Sequence, residues 1–135
     1  MEEFQAYVAG VFDGEGTVTL TRQRKTEFRS PVVSISNTYL ELLSPVKQVY
    51  GGTICSKRAY KLHHTPSYAW SVHRNRALDF LQDILPYMRH PTKRYRAQLL
   101  LDNYKRLTPR NGRYTNAMIE AKRQFEHDFF HPSTS

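Results

Sequence analysis

Val8-Ala9-Gly10-Val11-Phe12-Asp13-Gly14-Glu15-Gly16, followed without a break by Thr17-Val18-Thr19-Leu20, is the stretch around which the rest of this chain is organised. It reads as the last turns of a helix running straight into a strand. Phe4, Val8 and Val11 recur at helical spacing, and Tyr7 and Phe12 widen that apolar stripe. Ala6, Gly10 and Gly14 fall four apart and make a second face with almost no side chain. Glycine inside a helix costs about 1 kcal/mol relative to alanine. Two glycines on one face therefore need a reason, and the usual one is the close approach of another backbone. Asp13 and Glu15 sit where the helix ends, which is the negative pole of its macrodipole. A carboxylate is unfavourable there alone and more favourable when a cation joins it.

With 135 residues, 39% of them hydrophobic, the chain is expected to form a single domain, 1–135, with a real core. A net charge of +8 and 13% aromatic residues point to a polyanionic partner, nucleic acid before acidic membrane. The lone Cys55 excludes an intrachain disulfide framework and a cysteine zinc site, and fits a reducing compartment. No apolar run approaches the roughly 18 residues of a membrane span, and Met1-Glu2-Glu3 lacks a signal-peptide pattern. The expected location is intracellular and reducing: an organelle (chloroplast or mitochondrion) or a prokaryotic cytoplasm.

Outward from the opening stretch, residues 3–14 read as helix. Residues 17–29 alternate, with Thr17, Thr19, Thr21 and Gln23 on one face and Val18, Leu20, Arg22 and Arg24 on the other. Arg24-Lys25-Thr26-Glu27 is a polar hairpin candidate, and 31–37 continues the ribbon with Val33 and Ile35 inward and Ser34 and Ser36 outward. Residues 38–50 have a helical pattern interrupted by Pro45; either the helix bends there or its main part starts at Ser44. Gly51-Gly52 stops it. A second ribbon is expected over 53–62 and 67–73, with Tyr68, Trp70 and Val72 on the greasy face. A third helix is expected over 75–88, and a fourth after Pro91 with Thr92 as N-cap and Ala97, Leu100, Leu101 and Tyr104 buried. Thr115 caps a last helix, and 131–135 reads as a frayed tail. The order α-β-β-α-β-β-α, then two more helices, predicts an α+β fold: a four-stranded antiparallel sheet with helices on one side and a polar face on the other.

The nonamer Val8–Gly16 resembles the LAGLIDADG motif of homing endonucleases, and the α-β-β-α-β-β-α order is that family's core. The ribbon directly after the motif, Ser36-Asn37-Thr38 before the second helix and Gly51-Gly52 before the third strand strengthen the resemblance, which covers roughly residues 4–107. Such a fold implies a sheet shaped as a DNA-binding saddle. One motif is present, which by the family's logic implies a homodimer whose motif helices pack together through Ala6, Gly10, Asp13 and Gly14. The resemblance makes Glu15 the metal-ligating carboxylate and brings the backbone carbonyl of Gly14 beside the metal. Asp13 becomes structural, at the helix end and dimer seam. Asn37 matches a water-orienting polar residue of the cleavage pocket, and Lys93 a lysine entering it from the fourth helix. Where some members carry a basic residue early in the second helix, this chain has Glu41.

The implied function is a site-specific DNA endonuclease that makes a metal-dependent double-strand break in a long near-palindromic site. The expected cofactor is Mg²⁺, with Mn²⁺ or Ca²⁺ able to take the same place; the expected partners are double-stranded DNA and a second copy of the chain, with no membrane. Two Glu15 carboxylates meeting at a dimer axis suit a hard cation that keeps several waters, and two copies of Lys93 would add positive charge near the scissile phosphates. The sheet's polar face would lie along the major groove, which admits a β-ribbon. Thr19, Thr21, Gln23, Ser34, Ser36, Cys55, Lys57, Lys61, Ala69 and Ser71, with Arg24 and Lys25 at the hairpin, are the residues expected to meet DNA. Arg89, Arg94 and Arg96 are expected on the backbone. The rival from another class is a non-cleaving binder on the same fold, an intron RNA maturase or a transcriptional regulator; retention of Glu15 favours the enzyme. A histidine-based metal site at His63, His64 and His73 is disfavoured, because adjacent histidines on a strand point to opposite faces.

Overall fold

The computed structural model describes residues 2–57 and 67–132. The order of elements is α1 (Glu2–Glu15), β1 (Gly16–Thr21), β2 (Ser30–Asn37), α2 (Leu40–Tyr50), β3 (Thr53–Lys57), β4 (Ser67–His73), α3 (Arg74–Ile84), a short 3-10 turn (Leu85–Tyr87), α4 (Pro91–Leu107) and α5 (Asn116–Phe130). The four strands form one antiparallel sheet in the order β1-β2-β4-β3. This is the expected α+β architecture, with shorter pieces in two places. The β1 strand stops at Thr21 rather than running to 29. The 75–88 helix is instead α3 ending at Ile84 with Pro86 inside the 3-10 turn, since proline cannot donate to the preceding helical turn. The part of the third strand expected beyond Lys57 lies outside the described residues.

Pro45 is tolerated inside an unbroken α2. Its missing N–H would have served the carbonyl of Glu41, which lies in the exposed first turn where water can reach it. At the far end Gly51 and Gly52 have φ of 76° and 88°. A Cβ on Gly52 would lie 2.3 Å from the Ser71 carbonyl oxygen, so glycine is required there for both conformation and space.

Alternation sets the two faces of the sheet. Val18 and Leu20 of β1, Val33 and Ile35 of β2, and Trp70 and Val72 of β4 are buried beneath the helices. Phe80 of α3 is the hub: its ring meets those of Phe12, Tyr50 and Trp70 at centroid distances of 5.5, 5.1 and 5.0 Å. The indole of Trp70, 0% exposed, donates to the Gly51 carbonyl at 2.8 Å, so its one polar atom is satisfied. From α1 the core takes Val8, Ala9 and Phe12. Tyr7, read as part of that stripe, is 54% exposed and flanks the glycine face instead.

Candidate nuclease site and nucleic-acid interface

The α1 helix passes into β1 with no intervening loop, which places Glu15 at the helix end and at one end of the sheet. Asn37 closes β2, the neighbour of β1, and comes to the same end. Its amide donates to Glu15 Oε2, while its own Oδ1 accepts the Tyr39 N–H at 2.8 Å. The asparagine thus fixes the carboxylate with one end and the turn into α2 with the other. Glu15 and Gly14 are exposed.

Lys93, on the first turn of α4, reaches across to α1. Its Nζ donates to the carbonyls of Phe12 at 3.0 Å and Asp13 at 2.8 Å. An ammonium on the last carbonyls of a helix offsets the negative pole that makes Glu15 awkward there. The cation called for at the helix end is therefore supplied by the chain itself. An ammonium has three donors, so one N–H of Lys93 remains beyond these two bonds. Asp13 accepts the backbone N–H of Arg89 at 2.8 Å and of His90 at 3.2 Å, pinning the segment before α4 onto α1. Asp13 thereby ties the end of α1 to the segment before α4. The N-cap of α4 is His90, whose Nδ1 accepts the Lys93 N–H at 3.3 Å, and not Thr92. The sequence signal was the His90-Pro91 pair, since proline favours the first helical position.

Gly10 and Gly14 have no close neighbour among the described residues that would require glycine. A Cβ added at either would meet nothing within 4 Å, whereas one on Gly16 would lie 2.2 Å from the buried Phe12 ring. Ala6, Gly10 and Gly14 form an exposed bare strip along α1, bordered by the 3-10 turn and Arg89.

The outer face of the sheet follows from register. Thr17, Ser34, Ser71 and Thr53 align across the four strands; Ser36, Ala69 and Cys55 form the next row, and Thr19, Val32 and His73 another. The expected contact residues Thr19, Thr21, Ser34, Ser36, Ala69 and Ser71 all share this side, and Lys57 ends β3 opposite Ser67. Lys61 lies outside the described residues. Thr17, Thr53, Val32 and His73 of these rows were not among the expected contacts; the period-2 pattern could have identified all four. Gln23, Arg24 and Lys25 are exposed on the loop joining β1 to β2. That loop is closed by Glu27, which accepts the N–H groups of Gln23 at 2.8 Å and Arg24 at 3.1 Å. Those backbone bonds, Arg24's first, lower the Glu27 pKa.

Two expected backbone-binding arginines are used internally. Arg94 Nη1 donates to the carbonyls of Leu85 at 2.6 Å and Met88 at 3.2 Å, capping the 3-10 turn. Arg96 lies over the Phe129 ring at 5.0 Å and reaches the Val18 carbonyl at 3.4 Å. Both therefore have structural uses: Arg94 on the carbonyls of the 3-10 turn and its C-cap, Arg96 on a carbonyl within the edge strand β1.

The last helix does more than its pattern suggested. Arg29 at the end of the β1–β2 loop pairs with Glu126 of α5 at 2.6 Å, and its backbone N–H donates to the same carboxylate at 3.1 Å. Lys122, 1% exposed, donates to Thr108 and lies 4.2 Å from the Tyr104 ring centroid, with Phe28 and Phe125 around it. Burial lowers its amine to about 8, partly offset by the Glu126 charge. No local pattern marks these contacts.

Among the described residues no cluster of three or more His, Cys, Asp or Glu could hold a metal ion, and no helix is long and apolar enough to cross a membrane. One chain thus offers a single oriented carboxylate beside helix-end carbonyls. These are hard oxygen donors of the kind Mg²⁺, Ca²⁺ and Mn²⁺ take, and they fit half a site rather than a whole one.

The fold is that of the LAGLIDADG homing endonucleases. Solved structures that share it include the homing endonuclease I-CvuI with the I-CreI target in the presence of Mg, at 19% identity over 99% of this chain and 85% of that one, with a TM-score of 0.73. The archaeal intron-encoded homing endonuclease I-Vdi141I, complexed with DNA, matches at 18% identity over 100% and 87% of the two chains, TM-score 0.61. The LAGLIDADG homing endonuclease I-GzeII, in complex with a DNA target, matches at 15% identity over 97% of this chain and 50% of that one, TM-score 0.60. The likeness therefore extends through α5, beyond the 4–107 span expected. No protein-family model matches the sequence, and no curated protein does.

Proposed function

We propose that this chain is a site-specific DNA endonuclease which acts as a homodimer and, with a divalent cation, breaks both strands of a long near-palindromic duplex. The observation that carries the reading is the Glu15–Asn37 pair, fixed at the end of a bare-faced helix where an open polar sheet face begins. Among the described residues nothing packs within Cβ reach of Gly10 or Gly14, and the carboxylate is one ligand of an incomplete set; packing two α1 helices together would answer both. A two-fold dimer presents the same surface twice, hence the near-palindrome.

Glu15 would hold the cation together with the Gly14 carbonyl, and Mg²⁺ is the ion proposed. When bound, such an ion activates water and neutralises charge on the phosphodiester. Asn37 orients the carboxylate, while Lys93 holds the helix end and leaves one N–H for a phosphate oxygen or water. The threonines and serines of the outer face, with Gln23, Arg24 and Lys25 of the loop, suit groove edges and phosphates. The exposed Cys55 on that face fits a reducing, intracellular setting.

Purified protein incubated with Mg²⁺ and a randomised duplex library should yield discrete double-strand cuts. Tight duplex binding with no cuts would leave only a DNA binder and overturn the enzyme. Glu15→Gln should retain binding and slow cleavage by about 10²–10³-fold or more, the scale of losing one charge-stabilising group; normal cutting by that variant would displace the site.

A further inference from the structure

We infer that the cleft between the 22–29 loop and α5 is a second duplex-binding surface, which grips backbone phosphates beyond the end of the sheet face. This rests on the DNA reading above. The cleft has a volume of about 600 Å³, and its walls carry Arg22, Lys25, Arg123, His127 and His131. Four full cations line it, counting Arg29, against the two carboxylates of Glu27 and Glu126. Both acids are engaged. Glu126 is buried and takes the guanidinium and N–H of Arg29, and Glu27 is turned into its own loop by two backbone N–H groups. Among the described residues Arg22 and Lys25 form no ion pair, and Arg123 only a 3.8 Å pair with Glu120 between highly exposed groups. Pairs of that kind are worth about 0–1 kcal/mol and yield readily to a phosphate.

His127 and His131, one turn apart, stack with ring centroids 4.5 Å apart and 19° between planes. His131 Nδ1 is 3.1 Å from the His127 carbonyl oxygen, which ties the pair to the end of α5. That helix end is itself negative, so the attraction for an anion comes from the side chains and not from the helix. The position in the fold supplies the occupant. Arg22 directly follows Thr21, the last outer-face residue of β1, and lies beside Gln23, Ser30 and His73 at that end of the sheet. A duplex lying on the outer face and continuing past β1 would run over the cleft, where the matching chemistry is a row of phosphates. The pair Arg29–Glu126 holds the two walls in register, which a surface bridging a loop and a helix needs.

The test measures binding of a random-sequence duplex by fluorescence anisotropy, without metal, over a series of salt concentrations. Removing one cation that neutralises a phosphate lowers the slope of log K against log salt by about 0.9. Arg22→Ala with Arg123→Ala should reduce the slope by about 2 and weaken binding at moderate salt, while thermal melting stays that of a folded chain. Arg22→Lys with Arg123→Lys should keep the wild-type slope, because a phosphate accepts any point charge. Lys105→Ala, an exposed cation in the last turn of α4 outside the cleft, should also keep it. An unchanged slope in the alanine variant, an equal fall in the lysine variant, or an equal fall for Lys105→Ala would each overturn the cleft as the contact. Failure of the wild-type protein to bind duplex at low salt would instead overturn the nuclease reading itself.

Discussion

Asn37 is one short side chain with two tasks, and they separate on substitution. Asn37→Ala removes the donor to Glu15 and the acceptor for the Tyr39 N–H. Residues that orient a metal ligand typically contribute 10–100-fold to affinity or activity. The variant should therefore bind DNA normally and cleave about 10–100-fold more slowly in single-turnover assays. Lys122 makes a different kind of prediction. Its amine, lowered by burial to about 8 in the folded chain, returns to 10.5 on unfolding. Between those values the unfolded chain holds the proton and the folded chain does not, so stability rises with pH in that window. Below it both states are charged, and the full cost of burying the ammonium is present. Thermal melts from pH 8 to about 9.5 should climb relative to Lys122→Met, which lacks the titrating group. Tyr104 and Tyr114 have pKa values raised by burial and act the opposite way only once unfolded phenols ionise at higher pH.

At the scale of elements, α1 shows how alike glycines differ by what surrounds them. Gly16→Ala puts a methyl against the buried Phe12 ring and should destabilise the fold by about 1–3 kcal/mol in denaturant unfolding. At Gly10 an added Cβ meets nothing within 4 Å among the described residues and the position is exposed, so the Gly10→Leu protomer should remain folded. On the proposed homodimer, sedimentation should find the wild type dimeric and this variant monomeric; a variant still dimeric would refute α1 as the seam. The β1–β2 loop depends on α5 in the same tertiary way. Glu126→Gln leaves Arg29 without its ion pair, and hydrogen bonds to charged groups are worth about 1.5–3 kcal/mol. That loss should appear in unfolding and in faster proteolysis of the 22–29 loop, with α5 itself still helical.

For the whole molecule, the aromatic hub joins every layer of the core: Phe80 touches Phe12 of α1, Tyr50 of α2 and Trp70 of β4. Trp70→Ala should cost about 3–5 kcal/mol, read as a drop in melting temperature together with loss of duplex binding. Much of this was legible in the chain. The period-2 alternation of Thr17–Thr21 and Ser67–His73 assigned inner and outer faces that the strand register bears out residue by residue. The glycines of α1 marked a bare, exposed helix face, and the order of elements named the fold, because these signals are local and repeat along the backbone. What local periodicity does not carry is which polar group meets which across long loops. Lys93 reaches the end of α1 from 80 residues away, and Arg29 finds Glu126 at a separation of 97. Arg94 and Arg96, indistinguishable in sequence from DNA-binding arginines, each spend a donor on backbone carbonyls, of the 3-10 turn and of β1, that only the closed fold brings within reach. The sequence by itself determined the alternation, the bare helix face and the carboxylate at its end. Only the tertiary structure decided which cations are consumed holding the fold together and which stay free for a polyanion, since that depends on where carbonyls and carboxylates come to lie once the core has closed.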